Sequence, residues 1–92
     1  MFSFIFKKFE YMDDLEWFNN ILKKASKNRY ELRRSKSELY YLYDYGSVGN
    51  NVMVRSKEEI KYILSSINLY SYAPKGNDKN RLREILNTIF NN

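Results

Sequence analysis

Residues 29–45 read RYELRRSKSELYYLYDY, and this stretch decides the fold. Tyr30, Leu32 and Arg34 alternate with charged residues, and the tyrosine-dense part from Leu39 to Tyr45 favours half-buried strands. Residues 46–51 (GSVGNN) have the composition of a turn, and the apolar residues 52–54 suggest a short strand after it. The pattern predicts a three-stranded antiparallel meander over residues 29–55.

The first turn of this meander is expected at Ser35-Lys36-Ser37. One alternative stays open for the residues after it. Ser35 followed by Glu38 also resembles a capping box, so residues 38–45 are either a strand or a helix that ends at Gly46.

Amphipathic helices are predicted before and after the meander, over residues 13–27, 57–68 and 78–91. Asp13 with Glu16 and Ser56 with Glu59 have capping-box spacing, and Asp78 is expected to cap the last helix. Residues 69–74 are expected to be extended and residues 75–77 to form a turn. Apolar residues at helical spacing predict one shared core: Leu15, Phe18, Leu22, Ile60, Ile63, Leu64, Ile67, Leu82, Ile85, Leu86 and Ile89.

The predicted fold is therefore a small single α+β domain over residues 1–92, in the order helix, three-stranded antiparallel meander, helix, helix. Ninety-two residues suffice for one modest core. Residues 1–11 form an aromatic segment that either closes this core as a short helix or strand, or serves as an interfacial membrane anchor or docking segment. Its apolar run is far below the roughly 20 residues of a transmembrane helix, so no transmembrane segment is expected.

Composition limits the possible chemistry. The chain has no Cys and no His, so thiolate and imidazole metal ligands are absent. Its acidic clusters lie at predicted helix starts, where helix capping explains them. Glu59-Ile60-Lys61 fits the Glu-x-Lys fragment of some metal-dependent nucleases, but it falls inside a capped helix and not on a strand. Gly46 and Gly49 lack the helix that a phosphate-binding loop requires. We expect a non-enzymatic protein with no cofactor and no metal.

The basic excess is concentrated in one segment. Residues 23–36 hold seven cations against the single acidic residue Glu31, in a chain whose net charge is +5. Arginine offers bidentate geometry to phosphate or carboxylate, and neighbouring tyrosines can stack on bases. The candidate residues for binding nucleic acid or a partner are Lys23, Lys24, Lys27, Arg29, Arg33, Arg34, Lys36, Tyr41 and Tyr43. The alternative is an ordinary solvated face with tyrosines that are half core and half rim.

Two functions follow from this surface. The first is a small basic module that engages nucleic acid or a nucleoprotein complex. A common exposed face of Arg29, Arg33 and Arg34 with Lys23 and Lys27 would favour this function. The second is an adaptor or inhibitor that docks on an acidic host protein through its Tyr/Arg-rich surface. A homodimer is compatible with both. Phe, Tyr, Met, Ile, Asn and Lys make up half of the chain, which indicates an AT-rich genome, such as that of a phage or mobile element. We expect a cytoplasmic location.

Overall fold

The order of elements along the chain is that of a small α+β domain. The computed structural model describes residues 2–37, 39–46, 52–73 and 75–91, with side chains from Asp14 onward. The elements are helix α1 (Phe2–Ser26), strands β1 (Tyr30–Arg34), β2 (Tyr40–Asp44) and β3 (Met53–Arg55), helix α2 (Lys57–Ser66), a 3₁₀ helix (Leu69–Tyr72) and helix α3 (Gly76–Phe90). The predicted fold class, helix, antiparallel meander, helix and helix, is confirmed.

The three strands form one antiparallel sheet in the order β1-β2-β3. Leu32 lies opposite Leu42 and Arg33 opposite Tyr41, while Tyr43 lies opposite Val54. Residues 40–44 are therefore a strand, and the helical alternative for this stretch is wrong. Ser35 N–H donates to the Leu39 carbonyl at 2.9 Å, which closes the first turn as expected. Glu38 and residues 47–51 of the predicted second turn lie outside the described residues.

The core lies between one face of the sheet and the helices. Leu32 and Leu42 contribute the sheet side, and the other buried apolar residues are Phe18, Ile21, Leu22, Ile60, Leu64, Leu69, Ala73, Leu82, Leu86 and Ile89. Seven of the eleven predicted core residues are buried in this cluster, whereas Leu15, Ile63, Ile67 and Ile85 are only partly buried against it. Helical spacing identified the core-facing side of each helix but not how completely each residue on it is buried.

Helix α1 begins at Phe2 rather than at Asp13. The predicted boundary between an aromatic segment 1–11 and a helix 13–27 is therefore wrong, because one continuous helix runs through it. The stretch from Phe2 to Ser26 contains neither Gly nor Pro, so nothing in it interrupts a helix. Asp13 and Glu16, the predicted capping box, lie inside this helix and not at its start.

Helix α1 ends at Ser26, one residue before the predicted end at Lys27. Lys27 and Asn28 both have left-handed backbone angles, with φ of 54° and 65°. Asn28 N–H donates to the Lys23 carbonyl at 2.8 Å, the bond that closes a Schellman-type helix end. This reversal directs the chain from the helix into β1.

The second half of the chain departs from prediction near residues 66–78. Helix α2 has the expected capping box at Ser56 and Glu59, but it ends at Ser66. The extended conformation predicted after it is wrong, because residues 69–72 form a 3₁₀ helix that helps to bury Leu69 and Ala73. Helix α3 starts at Gly76, so the predicted turn at 75–77 is its first turn. The expectation that Asp78 caps this helix is wrong, because the N-cap is Lys75; Asp78 lies in the first turn, where its negative charge interacts favourably with the helix dipole.

Candidate functional site

The face of the sheet opposite the buried Leu32 and Leu42 presents polar and aromatic side chains. Successive side chains of a strand alternate between its two faces. We call this surface the outer face, and it carries Glu31, Arg33, Tyr41, Tyr43 and Val54, with Tyr45 directly after β2.

Three tyrosines form a row along β2 on the outer face. The ring centres of Tyr41 and Tyr43 are 5.5 Å apart, and those of Tyr43 and Tyr45 are 6.3 Å apart. The rings are tilted by 46° and 64° to their neighbours, so they form a ridge of contacting aromatics and not a flat stack. Tyr41 and Tyr43 are half-buried and Tyr45 is exposed. An aromatic row in contact with solvent is available to a ligand.

Arg33 and Glu31 of β1 contact two tyrosines of this row. The guanidinium carbon of Arg33 lies 4.1 Å from the ring centre of Tyr43, within cation–π distance. Its Nη2 lies 3.2 Å from Glu31 Oε1 and 3.4 Å from the Tyr45 hydroxyl. The Tyr45 hydroxyl donates to Glu31 Oε1 at 2.6 Å.

This hydrogen bond perturbs both of its partners. It lowers the pKa of Glu31 and raises the pKa of Tyr45, and the charges of Arg33 and Lys23 also contribute to lowering the pKa of Glu31. The centre of the outer face thus holds one ion pair, Arg33 with Glu31, which is close to neutral overall.

Lysines lie along one side of this neutral centre. Lys23 of α1 is exposed and close enough to Glu31 to lower its pKa. Lys36 lies in the β1–β2 turn, beyond the Tyr41 end of the row, and Lys27 lies in the turn that leads into β1, near the Tyr45 end. Exposed cations therefore follow the β1 side of the tyrosine row. Lys24 is also exposed, in the last turn of α1.

Arg29 has a different role from Arg33, because it binds a buried carboxylate. Asp44 is 2% exposed and accepts from Arg29 Nε at 3.0 Å, from Arg55 Nη2 at 2.6 Å and from Gly46 N–H at 2.8 Å. Burial alone raises the pKa of Asp44, but these hydrogen bonds outweigh it and lower the pKa to about 2. Arg55 also pairs with Glu59 at 3.1 Å. This cluster ties the strands to the start of α2.

The arginines at 29, 33 and 34 do not share an exposed face, so the shared basic face that was expected to favour nucleic acid is wrong. Arg34 lies on the core side of the sheet, with its guanidinium carbon 5.7 Å from the ring centre of Tyr40. The basic segment is therefore divided between the two faces of the sheet, and it does not act as one surface. Of the predicted candidates, Arg33, Tyr41 and Tyr43 meet on the outer face.

Three members of the outer face were not among the predicted site residues, namely Tyr45, Glu31 and Val54. For Tyr45 the signal was available, because a period of two that includes Tyr41 and Tyr43 continues to position 45. Val54 required the register between β2 and β3, which no residue pattern supplies.

Two further features concern metal binding and membrane insertion. Within residues 2–37, 39–46, 52–73 and 75–91, no group of three or more Asp, Glu, His or Cys side chains is placed to hold a metal ion. In the same part of the chain, no helix has the length and hydropathy to cross a membrane. No protein-family model, curated protein or solved structure matches this chain.

Proposed function

We propose that this protein binds single-stranded nucleic acid on the outer face, with bases stacked on the tyrosine row. The observation that carries the proposal is the solvent-facing row Tyr41, Tyr43 and Tyr45 with Arg33 against Tyr43. Sheets that bind single strands use such aromatics as stacking platforms, typically for two or three bases.

The distribution of charge supports single strands over duplex. The centre of the outer face is aromatic and nearly neutral, whereas the lysines at 23, 27 and 36 lie at its margin. A single strand can turn its bases toward tyrosines while its phosphates reach the marginal cations. A duplex buries its bases in stacked pairs, so the tyrosine row would have no base faces to contact.

The same proposal includes a cytoplasmic location and an origin in a phage or mobile element, both of which stay predictions from composition. The adaptor or inhibitor function is the competing outcome. It uses the same tyrosines and Arg33, which are residue types that dominate protein interfaces. An acidic protein partner does not require base stacking, and this difference separates the two functions.

Fluorescence anisotropy with a labelled oligothymidylate and with a hairpin duplex tests the proposal. Tyr43→Ala is expected to weaken single-strand binding by about 1–3 kcal/mol, and Tyr43→Phe is expected to retain it, because stacking needs the ring and not the hydroxyl. Tyr72→Ala is the matched control, since Tyr72 is 45% exposed in the 3₁₀ helix, away from the outer face. Absence of oligonucleotide binding at about 50 mM salt would exclude the proposal.

A further inference from the structure

The two edge strands of the sheet differ in whether another element binds their outward main-chain groups. At the β1 edge, Leu32 N–H donates to Asn19 Oδ1 at 2.8 Å and the Leu32 carbonyl accepts from Asn19 Nδ2 at 2.9 Å. Helix α1 therefore occupies both main-chain groups of Leu32, in the middle of this edge strand. At the other edge, β3 has no element of the described chain beside it.

The register shows which groups of β3 face outward. Tyr45 N–H donates to the Arg29 carbonyl at 2.8 Å, so alternate pairs along β1 and β2, including Glu31 with Tyr43, are the hydrogen-bonded ones. Tyr43 consequently directs its main chain toward β1, and its pair with Val54 is not hydrogen-bonded. The N–H and carbonyl of Val54 therefore point away from the sheet, into solvent.

Among residues 52–73 and the other described parts of the chain, nothing gives the β3 edge the usual protection of an edge strand. Natural edges carry lysine, proline, a bulge or an inward charge that blocks pairing with another strand. Here Val52, Met53 and Val54 are 47%, 53% and 59% exposed. The adjacent charge of Arg55 is held inside by Asp44 and Glu59, so it does not repel an approaching strand.

We propose that this edge pairs with β3 of a second copy of the chain, antiparallel about a two-fold axis at Val54. In this register Val54 lies opposite Val54, and each copy donates its N–H to the carbonyl of the other. Both outward groups of the strand are satisfied at once, and the local charges are already neutralised within each copy. The edge is thus complementary to itself, which favours a second copy over an unrelated strand.

The same register gives Met53 a place on the core side. Met53 of one copy lies opposite Arg55 of the other, beside a shallow cleft of about 380 Å³. This cleft is lined by Tyr30, Arg55, Glu58, Glu59, Tyr62 and Ile63. The exposed ring of Tyr62 and the flexible thioether of Met53 are suited to pack there.

The ladder is short, because Ser56 N–H already donates to Glu59 Oε1 and the Ser56 carbonyl already accepts from Ile60 N–H. Only the two hydrogen bonds at Val54 are added. The dimer is therefore expected to be weak and to form only at high protein concentration. It makes one six-stranded sheet in which the two outer faces are continuous. The pairing does not depend on what those faces bind.

Sedimentation equilibrium from about 5 µM to about 1 mM tests this pairing. The mass is expected to rise with concentration from 11.2 kDa to twice that value and no further. A mass that stays at the monomer value, or that continues past the dimer, overturns the proposal.

Charge substitutions at Val54 test the register. Val54→Lys and Val54→Glu each place like charges directly opposite across the axis, so each variant alone is expected to be monomeric. An equal mixture of the two is expected to regain the dimer. Leu39→Lys, at a residue that is 55% exposed but lies away from β3, is the control and stays dimeric. Thermal unfolding at dilute concentration verifies that all variants fold. A mixture that stays monomeric, or a Val54→Lys variant that dimerises like the parent, excludes pairing at Val54.

Discussion

The side-chain amide of Asn19 binds both main-chain groups of Leu32, with Oδ1 accepting at 2.8 Å and Nδ2 donating at 2.9 Å. One helical residue thereby substitutes for a neighbouring strand at the β1 edge. The contact aligns α1 along the sheet and leaves Lys23, one helical turn further on, close to Glu31 of the outer face. The helix is thus both part of the core and the support of one margin of the candidate site.

Asn19→Ala is expected to lower the free energy of unfolding by about 1–3 kcal/mol, because it leaves a partly buried N–H and carbonyl without partners. Chemical denaturation measures this loss. Asn20→Ala is the matched control, since Asn20 is the next residue of the same helix and is exposed. The role assigned to Asn19 is wrong if both variants are equally stable.

The buried Asp44 cluster predicts a specific dependence of stability on pH. The pKa of Asp44 is lowered from its ordinary value of 3.8 to about 2, so its ionised form stabilises the folded state above the ordinary value. That stabilisation, about 2 kcal/mol, is lost as the pH falls through the folded pKa, between about pH 4 and pH 2.

Asp44→Asn isolates this effect from the other carboxylates, which titrate in both proteins. The variant leaves two arginines beside a neutral group and is expected to cost about 3–5 kcal/mol at neutral pH. The stability difference from the parent is expected to shrink by about 2 kcal/mol when denaturation is repeated near pH 2. Parallel stability curves over this range would contradict the assignment.

Burial depth predicts unequal costs for two substitutions in α2 and α3. Leu64 is 2% exposed, whereas Ile85 is only partly buried against the core. Leu64→Ala is expected to cost about 2–5 kcal/mol and Ile85→Ala roughly half as much, since the cost follows the apolar area and the cavity created. Thermal unfolding under one set of conditions compares them. Equal losses would mean that the position of α3 on the core is wrong.

The local patterns of the sequence predicted the elements but not their long-range partners. The alternation from Tyr30 to Arg34 and the density of tyrosines from Leu39 to Tyr45 favoured the meander, but they left a helix open for residues 38–45 until the strand pairing was known. The same period separates Arg33 from Arg34, a division that the count of cations in residues 23–36 concealed. Net charge over a segment says nothing about which face each residue occupies.

The contacts that organise the site were not predictable in this way. Asp44 receives Arg29 and Arg55 from positions 15 and 11 residues away, and Asn19 reaches Leu32 across 13 residues. Such pairs depend on the packing of helix on sheet and on strand register. The start of α1 was predicted wrongly because a local pattern was trusted too far. The capping-box spacing at Asp13 indicated a helix start, but the stretch before it has no helix breaker and is helical from Phe2.

Neutralising either member of the central ion pair gives a test of sign for the proposed binding of single strands. Glu31→Gln removes the acidic group from the outer face and is expected to strengthen oligonucleotide binding, whereas Arg33→Gln removes the cation at Tyr43 and is expected to weaken it.

With three to four cations of the set Lys23, Lys27, Lys36 and Arg33 in contact with phosphates, the slope of log affinity against log salt is expected to be roughly −2 to −3. Arg33→Gln is expected to reduce the magnitude of that slope by about 0.7.

Arg83→Gln is the control for net charge. It makes the same change in net charge at an exposed residue of α3 that lies away from the outer face. Weakening by Arg83→Gln equal to that by Arg33→Gln would mean that binding follows net charge alone and that the outer face is not the site.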